Sequence, residues 1–136
     1  MIKKLLLVFV VVLNIYASDD KYTLRLYEKV LPLVLSSNDI SVYTDKNVKK
    51  LFSNNHIFKI VTECEQADII VGSKFENVEC LKKKPLFATS YSSYKNNLNS
   101  FGAFYWRKGR PQFRLNKDVI QRYDFILPDS LERFAQ

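Results

Sequence analysis

The chain has 136 residues, of which 26% are charged and 47% hydrophobic, and a formal net charge of +7. That length supports one hydrophobic core and is too short for two domains. The three glycines are too scattered to build a phosphate-binding loop, and the one histidine, His56, stands in the polar turn Ser53-Asn54-Asn55-His56 with no nucleophile motif beside it. Nucleotide-dependent and Ser/His or Cys/His catalysis are therefore disfavoured, and the expectation is a protein that is not an enzyme.

In chain order, Met1-Ile2-Lys3-Lys4 leads into the apolar run Leu5 to Leu13, followed by Asn14-Ile15-Tyr16-Ala17 and polar Ser18-Asp19-Asp20. A basic start, a short apolar stretch and a small residue at its end make a secretory signal peptide. The run falls short of the roughly 20 apolar residues that a spanning helix needs, which weighs against the rival reading of an uncleaved anchor. No cysteine follows it to carry a lipid. The expectation is a signal peptide over 1–17 and a single periplasmic α/β domain over 18–136. Removing the two leader lysines lowers the charge from +7 to +5, a balance that still favours anionic partners. Outside the inner membrane these are phospholipid headgroups, cell-wall polymer and the faces of membrane proteins rather than nucleic acid.

A helix is expected over 19–35, with Leu24, Tyr27, Val30, Leu31 and Val34 at helical spacing and Pro32 kinking or dividing it. Ile40 to Tyr43 alternates like a strand, Thr44-Asp45 can cap a helix from Asn47 to Phe52, and Phe58 to Val61 is again strand-like. Ala67 to Gly72 and Pro85 to Thr89 read as buried strands, with a helix from Ser90 to Asn97 after the second. Phe101 to Arg107 and Gln112 to Leu115 are extended runs joined by Lys108-Gly109-Arg110-Pro111, a hairpin pattern. Asn116 or Asp118 can start a helix through Ile120, and Pro128 suits the first turn of a last helix carrying Leu131, Phe134 and Ala135. The fold class that follows is α/β: a mainly parallel sheet flanked by helices, Rossmann-like and three-layered, closing with an antiparallel hairpin.

Cys64 and Cys80 are an even pair in a chain read as exported, so a disulfide is expected, with two separate buried thiols as the alternative. Two thiols and one histidine fall short of a structural zinc site, and no metal or cofactor is expected. Two surfaces are candidates for binding. Ser73 and Lys74 follow one strand, and Ser90 and Ser92 follow another, where parallel sheets place a ligand crevice, so an anion can be held there; the competing role is ordinary helix capping. The hairpin residues Phe104, Tyr105, Trp106, Arg107, Lys108 and Arg110 join aromatic rings to cations, the composition of an interface hot spot, although a strand must bury alternate members.

The segments Ala67-Asp68-Ile69-Ile70-Val71, Pro85-Leu86-Phe87, Gly102-Ala103-Phe104, Arg110 to Asn116, Leu127-Pro128-Asp129-Ser130-Leu131 and Phe134-Ala135 together resemble the YfiR/HmsC-type periplasmic proteins. The shared features are a buried strand before a loop, a glycine ahead of an extended segment, a strand ending in asparagine and a closing helix, over roughly the last half of the chain. This sequence departs from that pattern with Phe101-Gly102 in place of a Gly-Gly pair, and with Tyr123-Asp124-Phe125 where Gly-Leu is typical. The resemblance implies a periplasmic regulator that binds the extracytoplasmic part of an inner-membrane sensor or diguanylate cyclase and represses it, lowering cyclic-di-GMP and biofilm formation. It implies no catalytic residues. Proximity to the membrane surface and homodimer formation are both compatible with it. The alternative function is a periplasmic module binding a small anion or an envelope polymer.

Overall fold

The computed structural model describes residues 20–76 and 79–136. The expected signal peptide, with Ser18 and Asp19 after it, lies outside the described residues.

Helix α1 runs over residues 20–35 and buries Tyr27, Val30, Leu31 and Val34 against the sheet. Pro32 was expected to kink or divide this helix, yet helical structure continues to residue 35. A proline inside a helix costs about 3 kcal/mol. Burial of Leu31 and Val34, both at 0% exposure, returns about 1.5–3 kcal/mol each and offsets it. The helix ends one turn later, where Ser36 adopts φ 54° and Ser37 N–H donates to Pro32 O.

Six strands follow: β1 (Ile40–Thr44), β2 (Phe58–Ile60), β3 (Ile69–Gly72), β4 (Leu86–Ala88), β5 (Ser100–Arg107) and β6 (Arg110–Leu115). They form one sheet in the order β2-β1-β3-β4-β5-β6, parallel from β2 through β5 and antiparallel between β5 and β6. The expected α/β class, mainly parallel with a closing hairpin, is the observed one. Strand order reverses direction at β1, so the chain winds first one way and then the other, with connections on opposite faces.

One face carries the larger core, in which α1 meets Val42, Ile69, Phe87, Phe104 and the helix α4 (Lys117–Arg122). The other face is covered by α2 (Cys80–Lys83) and α3 (Tyr91–Asn96), which pack on Ile70 and Leu86 and on Ala88, Ala103 and Tyr105 respectively. A register shift between Leu86↔Ser100 and Phe87↔Gly102 makes Phe101 an extra residue in β5. Phe101 and Phe104 consequently both join the α1-side core although they stand three apart. At Gly102 a Cβ would come within 2.8 Å of the Phe87 ring and 2.9 Å of Leu115 Cδ2, so glycine is what lets these strands approach.

The expected helix from Asn47 to Phe52 is a short 3-10 turn, Lys49–Phe52, and the last helix is another, Asp129–Phe134. The first is confined between Asp45, which holds the N–H groups of Asn47 and Val48, and Asn54, which takes φ 58° and turns the chain away. A 3-10 turn at Cys64–Gln66 and the helix α2 were not expected. Cys64 and Cys80 are joined, which ties these two short elements together across 16 residues.

Candidate functional site

The hairpin joins β5 and β6 through a two-residue turn, Lys108 at φ 51° and Gly109 at φ 75°, so Arg110 and Pro111 belong to the returning strand rather than to the loop. Its register pairs Phe104 with Phe113, Tyr105 with Gln112, Trp106 with Pro111 and Arg107 with Arg110. Because successive strand residues point to opposite faces, this divides the six candidate contact residues. Phe104 and Trp106 lie on the α1 side, where Phe104 enters the main core. Tyr105, Arg107 and Arg110 lie on the α3 side, where Tyr105 packs with Ala88, Ala103 and Tyr94. Lys108 stands at the turn. The patch is therefore two surfaces, back to back.

The α1-side surface is a groove of about 490 Å³ between α1 and the C-terminal 3-10 turn, floored by Phe104 and Phe113 of the hairpin. Tyr22, Leu26 and Leu33 of α1 line one wall, Leu131 and Phe134 the other, and Arg25 and Lys29 stand among the apolar residues of α1. Trp106 closes the hairpin end: its ring lies 5.7 Å from Tyr22 and 5.8 Å from Phe104, and its Nε1 donates to Thr23 Oγ1 at 3.2 Å. Phe113 and Phe134 meet edge to face at 4.8 Å. The rim stays wet, with Leu33 51%, Tyr22 48% and Trp106 37% exposed. Tyr22, Leu26 and Leu33 were not among the expected site residues. Their spacing of four and seven residues is a second helical stripe beside the buried one, a signal present in the sequence.

The strand-end crevice is built differently from the anion site expected there. Asp45 follows β1 at the point where strand order reverses and is only 6% exposed. Its Oδ1 accepts from the N–H groups of Asn47 and Val48, and its Oδ2 from those of Ser73 at 2.9 Å and Lys74 at 3.1 Å. The N–H groups that an incoming anion would use are thus engaged by the chain's own carboxylate. Ser73 Oγ shares a 2.8 Å hydrogen bond with Thr89 Oγ1 and accepts from Thr89 N–H, while Ser90 Oγ caps α3 by accepting from Ser93 N–H. Ser92 is exposed and accepts from Asn96 Nδ2. Gly72 makes the latch possible: a Cβ there would lie 2.7 Å from Asp45 Oδ2, at a φ of +146°.

Next to this crevice, Ser73, Phe75, Leu81, Ser93 and Asn97 border a smaller cavity of about 210 Å³. Among the described residues no three His, Cys, Asp or Glu side chains are grouped to hold a metal ion. His56 is exposed in the turn before β2, where Asn55 Oδ1 accepts from the N–H groups of Ile57 and Phe58.

No protein-family model matches the chain, and no curated protein matches it in sequence. The fold is similar to a crystal structure of a conserved domain protein from Vibrio cholerae O1 biovar El Tor strain N16961, with a TM-score of 0.53 at 10% identity. The likeness covers 86% of this chain and 59% of that one, so the chain spans about three fifths of its neighbour's length. At that identity the likeness concerns the fold alone.

Proposed function

We propose that this chain is an exported binding domain that represses an inner-membrane signalling protein, such as a diguanylate cyclase, by seating that protein's extracytoplasmic segment in the groove between α1 and the hairpin. The groove carries the reading. Its rim exposes Tyr22 and Leu33 above an apolar floor, with the exposed Trp106 packed against Tyr22 at the hairpin end, surface that a folded chain leaves uncovered where a partner is to cover it. Aromatic rings and an arginine at one edge are the residues that anchor protein interfaces, and Arg25 with Lys29 favours a partner segment carrying carboxylates. The Cys64–Cys80 disulfide is consistent with an oxidising, exported location. The resemblance to YfiR/HmsC-type regulators supplies the class of partner.

The anion-binding alternative finds less support, since the backbone donors it needs already hold Asp45. The regulator reading is tested in the living cell. Deleting the gene raises cyclic-di-GMP, the parent chain restores the level, and Leu33→Asp does not, although that exposed position leaves folding intact. A photo-crosslinking side chain at position 33 captures a membrane protein with a cyclase output domain. An unchanged cyclic-di-GMP level in the deletion strain removes the reading.

A further inference from the structure

Between Glu79 and Asp118 the chain contains nine Lys and Arg residues and neither Asp nor Glu. This stretch forms α2, β4, α3, β5 and β6, so three of the six strands and the helices beside them are built from segments without a carboxylate. The strand register concentrates part of that charge. Tyr105, Arg107, Arg110, Gln112 and Arg114 share the α3-side face of the hairpin, and α3 covers β4 and β5 but leaves the outer part of this face open. A sheet face without a covering layer ordinarily carries mixed polar residues. Here it carries three guanidinium groups.

Among the described residues these cations have no anionic partner. The ion pairs among the described residues are Lys59–Asp39 and Lys83–Glu79, and neither involves Arg107, Arg110 or Arg114. Arg114 Nε donates to Tyr105 Oη at 3.1 Å, and its guanidinium lies 5.4 Å from the centre of the Tyr91 ring, which orients it without neutralising it. Tyr91 is itself 47% exposed beside these groups. Along the strands, the Arg107–Arg110 pair and Arg114 stand four positions apart, about 14 Å. That separation spreads the three cations over the sheet face and matches a ligand that presents many phosphates over a plane. Single-stranded nucleic acid would need a run of exposed rings to stack its bases. On this face Tyr91 is the exposed ring among the described residues, because Tyr94 is half-buried and Tyr105 is 8% exposed.

We propose that the α3-side face of the hairpin is a membrane-association surface, on which Arg107, Arg110 and Arg114 engage the phosphates of anionic phospholipids while Tyr91 sits at headgroup depth. Arginine forks match phosphate geometry, and tyrosine prefers the boundary between water and lipid. The inference rests on the proposed function for its setting beside a membrane, but it uses the opposite face of the hairpin. With this face on the lipid, the groove stays free to receive the membrane partner's segment.

The test is vesicle flotation of the full chain as its host produces it, using phosphatidylglycerol mixed with phosphatidylethanolamine and, in parallel, phosphatidylcholine alone. The expected result is binding to the anionic vesicles that weakens with added salt. Arg107→Gln with Arg110→Gln, both at exposed positions, lowers that affinity about thirty-fold, roughly five-fold for each cation near an anionic surface. Arg25→Gln with Lys29→Gln, on the groove side, leaves it unchanged. Equal binding to the phosphatidylcholine vesicles, unchanged binding by the hairpin variant, or tighter binding to a single-stranded oligonucleotide than to vesicles would overturn the proposal. If vesicle binding fails while the crosslink at position 33 survives, the membrane surface falls and the proposed partner stands; the reverse pattern removes the partner alone.

Discussion

Asp45 occupies the place where an open parallel sheet ordinarily admits an anion, and four backbone N–H groups close on its carboxylate. Asp45→Ala leaves those donors without their acceptor and is expected to cost about 3 kcal/mol in urea unfolding. It also reopens the crevice, so inorganic phosphate raises the Tm of Asp45→Ala and leaves the parent chain's Tm unchanged. Gly72→Ala destabilises the parent chain by about 2–3 kcal/mol, through its backbone angle and through contact with the carboxylate. Combined with Asp45→Ala it costs about 1 kcal/mol less than the sum, because one of the two clashes is gone; strict additivity would contradict the latch. Tyr27 gives a pH dependence. Burial, and secondarily the charge of Asp45, pushes its hydroxyl well above the ordinary value of 10.0. Above that pH the unfolded chain has released this proton while the folded chain keeps it, so stability is intact below pH 10 and falls as pH rises further, by up to about 1.4 kcal/mol per unit. Unfolding free energies between pH 9 and 11 should fall less steeply in Tyr27→Phe.

Among the described α-helices α2 is the shortest, and four residues do not sustain a helix. It is held from outside. The disulfide ties Cys80 to Cys64, Asn99 Nδ2 donates to Leu81 O and Lys84 O at 2.6 Å each, and Lys84 Nζ donates to Ala67 O at 2.9 Å. Reduction, or Cys64→Ser with Cys80→Ser, is expected to lower stability by about 3 kcal/mol on the chain-entropy model. The loss of amide protection should be greatest over residues 61–84, and a uniform loss across the sheet would show that the bridge acts on the whole fold instead. This element and the turn at Cys64–Gln66 were illegible in the sequence because three or four residues display no period. The strands were legible, since Ile40–Thr44 and Ile69–Gly72 carry their β-branched runs openly, and α3 and α4 announce themselves through the caps Ser90 and Asn116. Pro32 does not divide α1. Its local penalty is real, but burial of the residues around it is decided by the sheet below.

At the scale of the molecule, charge is distributed unevenly, with a formal net charge of +7 and no carboxylate from Cys80 to Lys117. The two ion pairs among the described residues are solvent-exposed and contribute little. Screening therefore relieves more repulsion than attraction, and raising sodium chloride from about 0.05 M to about 0.3 M should raise the Tm by about 2 °C. A fall in Tm would mean that favourable charge contacts outweigh the excess of cations. The same distribution shows how far the sequence reaches. Composition, strand and helix periods, capping residues and the hairpin are properties of neighbours in the chain, and the sequence alone was enough to assign the α/β class from them. Strand order, the bulge at Phe101 and the register of the hairpin depend on which segments meet, so only the tertiary structure decided that Phe104, Trp106 and Phe113 face α1 while Tyr105, Arg107, Arg110 and Arg114 face α3. It alone brought Asp45 to the N–H groups of Ser73 and Lys74, 28 and 29 residues away, and set α1 beside the C-terminal turn to form the groove. Capping and periodicity act over a few residues, whereas close approach and burial are settled by the packing of distant ones.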